Sequence, residues 1–364
     1  MTKAAELAKM GEVLTNSQIG GRRNIVINGA MNVAQRSASV TGIGASAGYF
    51  TVDRFDMFFS GTAGRLTQSQ VAVTDLPGFA NALKLQCTTA DTSIASGETA
   101  QLQYQIEGQD LQQLKKGTSS AEKTTISFYV KGNAAATYTI EFQDNDNSRH
   151  NTQTFAVTTS WNRVSLTFDG DTTGAFDDDN GASVRIQIYL QAGATYTGGT
   201  FTSNTWAGVT NANTVKSDQT MFFDSTNRNL FITGIQMEVG SQATPFEHRS
   251  FGEELRLCQR YYFVLIEGNG DRAGVGGYFS SSGIQFPIQF PIRMRASPTL
   301  EVGSGTNFYT VNGAANDTID DVTLDGATSR SCSIFNNTDA SGTTGDHGIL
   351  VSGANGFVKF TSEL

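Results

Sequence analysis

Three histidines, His150, His248 and His347, are the imidazole side chains of this 364-residue sequence, and they stand far apart. A zinc site wants such ligands at short fixed spacings, and neither His-x-x-x-His nor HExxH occurs. A serine or cysteine nucleophile would need one of these imidazoles and a sharp elbow, yet there is no GxSxG. The three cysteines, Cys87, Cys258 and Cys332, make no CxxC pair. Cys87 alternates with Leu83 and Leu85, and Cys258 falls on a helical apolar stripe, so both read as small core hydrophobes. No metal, cofactor or catalytic residue is expected.

Paired carboxylates could cleave a glycosidic bond. Acidic residues gather at Asp144/Asp146, Asp177/Asp178/Asp179 and Asp317/Asp320/Asp321, each among the Asn, Gly and Ser of turns, which predicts solvated turn residues. "FDDDNG" fails as an EF-hand. Counting back from Gly181 puts Phe176 at the first ligand position and Gln187 where the bidentate Glu belongs, so only an irregular calcium site stays open there. Sugar binding asks for less: an aromatic face flanked by amides and carboxylates. Trp206 and Tyr196, in "YTGGTFTSNTWAGVTNANT", have no strand alternation to account for them. Phe308 and Tyr309 in "TNFYTVNG" hold a comparable turn position, as do Tyr278 and Phe279 in "GGYFSSSG". These are candidate glycan-binding residues, with loop packing as the alternative for each. Trp161 opens "WNRVSLTF" and reads as packing.

The elements that must position these residues are strands. "LKLQC", "QLQYQIEG", "TISFYVKG", "TYTIEF", "NRVSLTF" and "SVRIQIYLQ" each alternate apolar and polar residues, as half-buried antiparallel strands do. About nine or ten such strands fit a jelly roll. Near its end, Leu230 and Ile232 alternate on even positions but Ile235, Met237 and Val239 on odd ones, which predicts a β-bulge at Gly234. After "GSQATPFEHRS" leads out of this domain, Ser250 and Glu253 form a capping box. Phe251, Leu255, Cys258 and Tyr262 then make one helical stripe, with Glu254, Arg256, Gln259 and Arg260 facing elsewhere. The β pattern resumes from Phe263. Residues 2–14 carry Leu7, Met10 and Leu14 at helical spacing, ahead of a polar linker.

The expected fold is mainly β: a jelly-roll β-sandwich plus a C-terminal antiparallel β domain, with a short N-terminal helix and a capped helix at the junction. Residues 1–23 form a helical attachment segment and linker, 24–249 the sandwich, and 250–364 the junction helix and last domain. With 25 Lys and Arg against 34 Asp and Glu, the formal charge is −9, which disfavours nucleic acid as a partner. The first residues hold no continuous apolar run, and no later stretch approaches the ~20 apolar residues of a membrane span, so no membrane insertion is expected.

"NIVINGAMNVAQRS" with "YFTVDRF", "QLQYQIEGQDLQQLKKG", "TISFYVKG", "TSWNRVSLTF", "ITGIQMEVGSQATPFEHRSFGEELRLCQRYY" and "FPIRMRASPTL" together resemble the tail-fibre and virion structural proteins of tailed, notably marine, bacteriophages. The first β region also resembles carbohydrate-binding-module jelly rolls. The resemblance spans about Asn24 to Thr299. It implies a virion protein made in the host cytoplasm, commonly a homotrimer, attached to other virion proteins through Leu7, Met10 and Leu14 and presenting distal β domains to a host surface polysaccharide. In a trimer, Phe251, Leu255, Cys258 and Tyr262 could pack around the axis; covering the chain's own sheet is the alternative. A tail-fibre adhesin, a head-fibre or capsid decoration protein, and a glycan depolymerase are the three functions to separate.

Overall fold

A computed structural model of the chain describes residues 3–4, 23–313 and 315–364; Leu7, Met10 and Leu14 lie outside the described residues. The chain divides into two compact units, one reaching to Glu254 and including Leu364, the other Leu255–Glu363. Both are mainly β.

Among the described residues the first unit has thirteen strands: β1 (Ser39–Ile43), β2 (Gly48–Tyr49), β3 (Phe55–Ser60), β4 (Arg65–Ala72), β5 (Asn81–Thr89), β6 (Thr99–Glu107), β7 (Thr124–Gly132), β8 (Ala136–Asp144), β9 (Arg149–Val157), β10 (Asn162–Phe168), β11 (Ala182–Ala192), β12 (Ala207–Gly208) and β13 (Asn229–Val239). They form a six-stranded sheet in the order β1-β4-β5-β13-β7-β10 and a seven-stranded one in the order β12-β9-β8-β11-β6-β3-β2. This is a β-sandwich of the jelly-roll kind. The strands beyond the expected ten include β2 and β12, two residues each, too short to show an alternation.

Period-two alternation sends one side chain in two to the core between the sheets. From β6 come Leu102, Tyr104 and Ile106, from β11 Val184, Ile186 and Ile188, and across from them Leu83 and Leu85 of β5 and Ile126, Phe128 and Val130 of β7, all buried. Phe128 meets Phe155 edge to face at 5.0 Å and Phe142 meets Phe168 at 5.5 Å, ring contacts that join the two sheets. The predicted bulge is present. The β13–β7 register shifts between Thr233 and Gln236, and Gly234 takes φ +64° there. Ile232 and Met237 consequently both reach the core, at 0 % exposure. A Cβ on Gly234 would also lie 2.7 Å from the Phe79 ring and 2.9 Å from Tyr129.

The segment after β13 does not leave the sandwich at once. Thr244 donates to Glu238, the Glu247 N–H donates to Gln236 Oε1 at 2.8 Å, and the Phe246 ring lies 5.1 Å from that of Phe79. The helix Phe251–Gln259 follows, with Ser250 Oγ accepting from the Glu253 N–H at 3.3 Å. Glu254, expected on a polar face, is buried: it accepts from the Asn28 N–H at 2.5 Å and from Arg249 Nη1 at 3.1 Å. Within the apolar stripe Cys258 and Tyr262 are fully buried in the single chain, Leu255 is half-buried and Phe251 is 59 % exposed.

The second unit has a sheet of three strands, in spatial order Tyr262–Ile266, Val358–Thr361 and Thr299–Val302. Its sheet of seven runs Asp317–Ile319, Tyr309–Gly313, His347–Ser352, Arg272–Ser280, Gly283–Gln289, Ser331–Asn336 and Thr323–Asp325. Ile266, Phe286, Ile334, Leu350 and Phe360 are among the residues of its core.

Candidate functional site

The side chains that alternate with the core residues of the seven-stranded sheet form its other face, and the register brings them into rows. Asp56, Gln103, Gln187, Glu141 and Thr152 stand abreast on β3, β6, β11, β8 and β9. The adjoining row is Phe58, Gln101, Tyr189, Thr139 and Thr154. Polar side chains in these positions are deep: Gln101, Gln103 and Gln187 are each 4 % exposed and Glu141 is 2 % exposed.

They satisfy one another across four strands. Gln103 Nε2 donates to Gln101 Oε1 and, at 2.8 Å, to Gln187 Oε1. Gln187 Nε2 donates to Glu141 Oε2 at 2.7 Å, and the Tyr189 hydroxyl donates to the same oxygen at 2.9 Å. His150 Nδ1 lies 2.7 Å from the other carboxylate oxygen. Burial, reinforced by the neighbouring Glu141 charge, pushes the Tyr189 phenol well above its ordinary value, so it stays protonated and a donor. Two aromatic rings flank the rows: Phe58, 38 % exposed on β3, and Tyr196, half-buried and 6.3 Å from the Tyr189 ring. Amides and a carboxylate held between rings are the groups that read the hydroxyls of a sugar. Of the two glycan candidates in this unit, Tyr196 borders this face and Trp206 does not. Gln101, Gln103, Gln187 and Glu141 were missed, although an amide at every second position of "QLQYQ" marked one edge-to-edge polar stripe.

Trp206 belongs to a second buried polar group. Its indole N–H donates to the Asp169 carbonyl at 2.6 Å and its ring meets Phe142 at 5.3 Å. It lies 5.6 Å from the ammonium of Lys116, with the Phe176 ring at 5.3 Å. That ammonium is buried among oxygens: Asp144 Oδ2 at 2.6 Å, Asp171 Oδ2 at 3.2 Å, and the carbonyls of Thr173 and Gly174 at 2.7 and 2.8 Å. Arg149 pairs with Asp171 from the other side. Trp206 is thus a half-buried cover over an ion-pair cluster, which is a packing position. Its replacement by Ala is expected to cost about 2 kcal/mol, below the usual range for a fully buried ring. A lowered denaturation midpoint at constant m would show it.

The remaining candidates sit elsewhere. Tyr309 is fully buried, its hydroxyl bonded to the Gly303 and Phe357 carbonyls at 2.9 and 2.7 Å, so it has no ring face for a ligand. Phe308 is half-buried against the core of the second unit. Asp144, read as a solvated turn residue, is 0 % exposed, and His150 is buried in β9. Trp161 is half-buried, with its N–H on Asp75 Oδ1 at 2.9 Å and Lys131 4.9 Å from its ring. Cys87, Cys258 and Cys332 are all buried. Burial pushes the Cys87 and Cys332 thiols up to about 11, which leaves them unreactive at neutral pH. Among the described residues no three His, Cys, Asp or Glu side chains converge on a metal position.

No protein-family model and no curated protein matches the sequence. Solved structures with a similar course of chain include the enzymatically active domain of tailspike protein 4 of bacteriophage CBA120, at 12 % identity and a TM-score of 0.29. That match covers 59 % of this chain and 21 % of the tailspike chain. A family 4 carbohydrate-binding module matches at 13 % identity and a TM-score of 0.30, over 58 % of this chain and 97 % of the module. The family 11 module of Clostridium thermocellum, in complex with a mixed-linked tetrasaccharide, matches at 13 % and 0.28, over 57 % and 98 %. At these scores the likeness carries no weight for ligand or mechanism.

Proposed function

We propose that this chain is a non-enzymatic glycan-binding protein of a phage particle, a homotrimeric tail-fibre adhesin that recognises a host surface polysaccharide. The observation that carries the reading is the group Gln101, Gln103, Gln187 and Glu141 with Tyr189, amides and a carboxylate bridged over three strands and bordered by the rings of Phe58 and Tyr196. Hydroxyl-rich ligands fit such groups, and the deficit of positive charge favours neutral or weakly charged sugars. The phage-like stretches of sequence supply the virion setting.

Two expected results follow. Phe58→Ala and Gln101→Ala should each weaken retention on host polysaccharide in affinity electrophoresis about five- to tenfold, since one exposed ring or one hydrogen bond contributes about 1 kcal/mol. Wild-type protein that migrates unretarded through every polysaccharide of a susceptible host would end the glycan reading. For the trimer, Phe251 is the exposed start of the helical stripe and Leu255 is half-buried beside it. Phe251→Asp is therefore expected to convert a wild-type trimer to monomers in sedimentation analysis without lowering protomer stability. A wild-type monomer at micromolar concentration rejects that part. Imaging labelled copies on the tail or on the head separates an adhesin from a decoration protein.

A further inference from the structure

On the far side of the row that holds Glu141, the same face carries a third row: Gln105, Arg185, Gln143 and His150, on β6, β11, β8 and β9. Arg185 alternates with the core residues Val184 and Ile186 and is half-buried. A guanidinium carries five N–H donors. This one makes a single hydrogen bond among the described residues, from Nη2 to Gln105 Oε1 at 3.3 Å, and no ion pair. Its Nε is buried without an acceptor. Arg149 and Arg228 of the same unit show the alternative, since each sets Nε and Nη2 against one carboxylate, Asp171 and Asp224 respectively.

The register keeps the chain's own carboxylates away from Arg185. Its cross-strand neighbours, Gln105 and Gln143, are both amides. Glu141, one row over, is already taken up by Gln187, Tyr189 and His150. Glu107, two residues along β6, accepts from Gln109 Nε2 at 2.6 Å. Gln105 donates through Nε2 to the Leu364 carbonyl at 3.0 Å, which turns its oxygen to the guanidinium. Gln143 is oriented by the opposite end: its oxygen accepts from Gln187 Nε2 at 2.7 Å, and its own Nε2 has no acceptor among the described residues. The row therefore holds a cation and an amide N–H group in surplus, with no anion to receive them. Charge-assisted bonds to one planar oxyanion would satisfy both.

We propose that this face selects a glycan bearing carboxylate groups, with the Arg185 guanidinium pairing with one carboxylate and Gln143 Nε2 donating beside it. The proposal rests on the glycan reading of the face and narrows it, from neutral or weakly charged sugars to those that present a carboxylate over β11. The formal charge of −9 does not oppose this. It acts at a distance and is screened beyond about 8 Å at physiological ionic strength, whereas the guanidinium acts in contact. A planar guanidinium can also meet a carboxylate through two parallel bonds, which a lysine ammonium does not.

The probes are the polysaccharide of a susceptible host in its native form and after carbodiimide and borohydride have reduced its carboxylates to alcohols, both run in affinity electrophoresis with the full chain. Wild-type protein is expected to hold the native form about tenfold or more tightly than the reduced one, as a charge-assisted pair contributes. Arg185→Gln should bind both forms as the wild type binds the reduced one. Its unfolding midpoint should stay close to that of the wild type, because Arg185 has no ion pair to lose. Arg185→Lys, which keeps the stem and the charge, should retain only part of the preference. Wild-type protein that binds the two forms alike overturns the proposal and leaves the glycan reading standing. Retention of neither form ends both. A folded Arg185→Gln that keeps the full preference also overturns the proposal, and if that variant does not fold, full preference in Arg185→Lys does so.

Discussion

Lys116→Met is expected to lower stability by about 3–5 kcal/mol, the usual loss when one partner of a buried ion pair is removed. Methionine fills a similar volume between the Phe176 and Trp206 rings, so the loss reports charge more than packing. Asp144, fully buried, would be left facing the Thr173 and Gly174 carbonyls with no cation between them, and Asp171 would keep Arg149 and the Thr173 N–H. Combining Lys116→Met with Asp144→Asn should recover a large part of the loss, because it removes the stranded charge as well. A loss of about 1 kcal/mol or less in urea unfolding would mean that water reaches the cluster. The same group makes an acid-sensitive element. Burial would raise the Asp171 carboxyl, but its bonds from Arg149 and the Thr173 N–H, together with the Lys116 ammonium, hold it below the ordinary value. A carboxyl depressed by folding contributes stability that is fully present above its unfolded value of about 3.9 and is lost as pH falls through the folded one. Unfolding midpoints should therefore drop below about pH 4, and less steeply in the double variant.

Glu141→Leu is expected to cost about 3–6 kcal/mol and to abolish polysaccharide retention. The Tyr189 hydroxyl, Gln187 Nε2 and His150 Nδ1 all end on this carboxylate, and each buried donor left unpaired costs about 1–3 kcal/mol. Glu141→Gln keeps an acceptor of the same shape and should cost less than half as much. The comparison separates scaffold from ligand contact: if Glu141→Gln folds at nearly wild-type stability and still binds sugar normally, the carboxylate serves only to organise the amides around it. If binding falls while the unfolding midpoint holds, the carboxylate itself meets the ligand. Equal and small losses for Leu and Gln would show that the four-strand network is not formed in solution.

The legible features of this chain are those written in neighbouring residues. Leu83, Leu85 and Cys87, or Val184, Ile186 and Ile188, announce a strand and its buried face because side-chain direction alternates within a single segment. The change of phase at Thr233-Gly234 gave the bulge, and Ser250 with Glu253 the start of the helix, for the same local reason. The polar faces were legible as polar, but not as a site.

What the sequence alone determined is thus the class of fold, the strands and their inward faces, and the absence of zinc and nucleophile motifs, all set by composition and by spacings of two to four residues. The tertiary structure alone decided which polar residues meet. Gln103, Gln187 and Glu141 come from three strands separated by long connections, and only the antiparallel register places them abreast. Lys116 lies in a stretch, "QLKKGTSS", with every mark of a surface turn, and becomes a buried cation because Asp144, at the end of β8, and Asp171, in the loop after β10, arrive to receive it. Tyr309, likewise, looked like a loop ring and is core. Burial and pairing of this kind depend on contacts across tens of residues, and a charged or aromatic side chain carries no local sign of whether its partners will arrive.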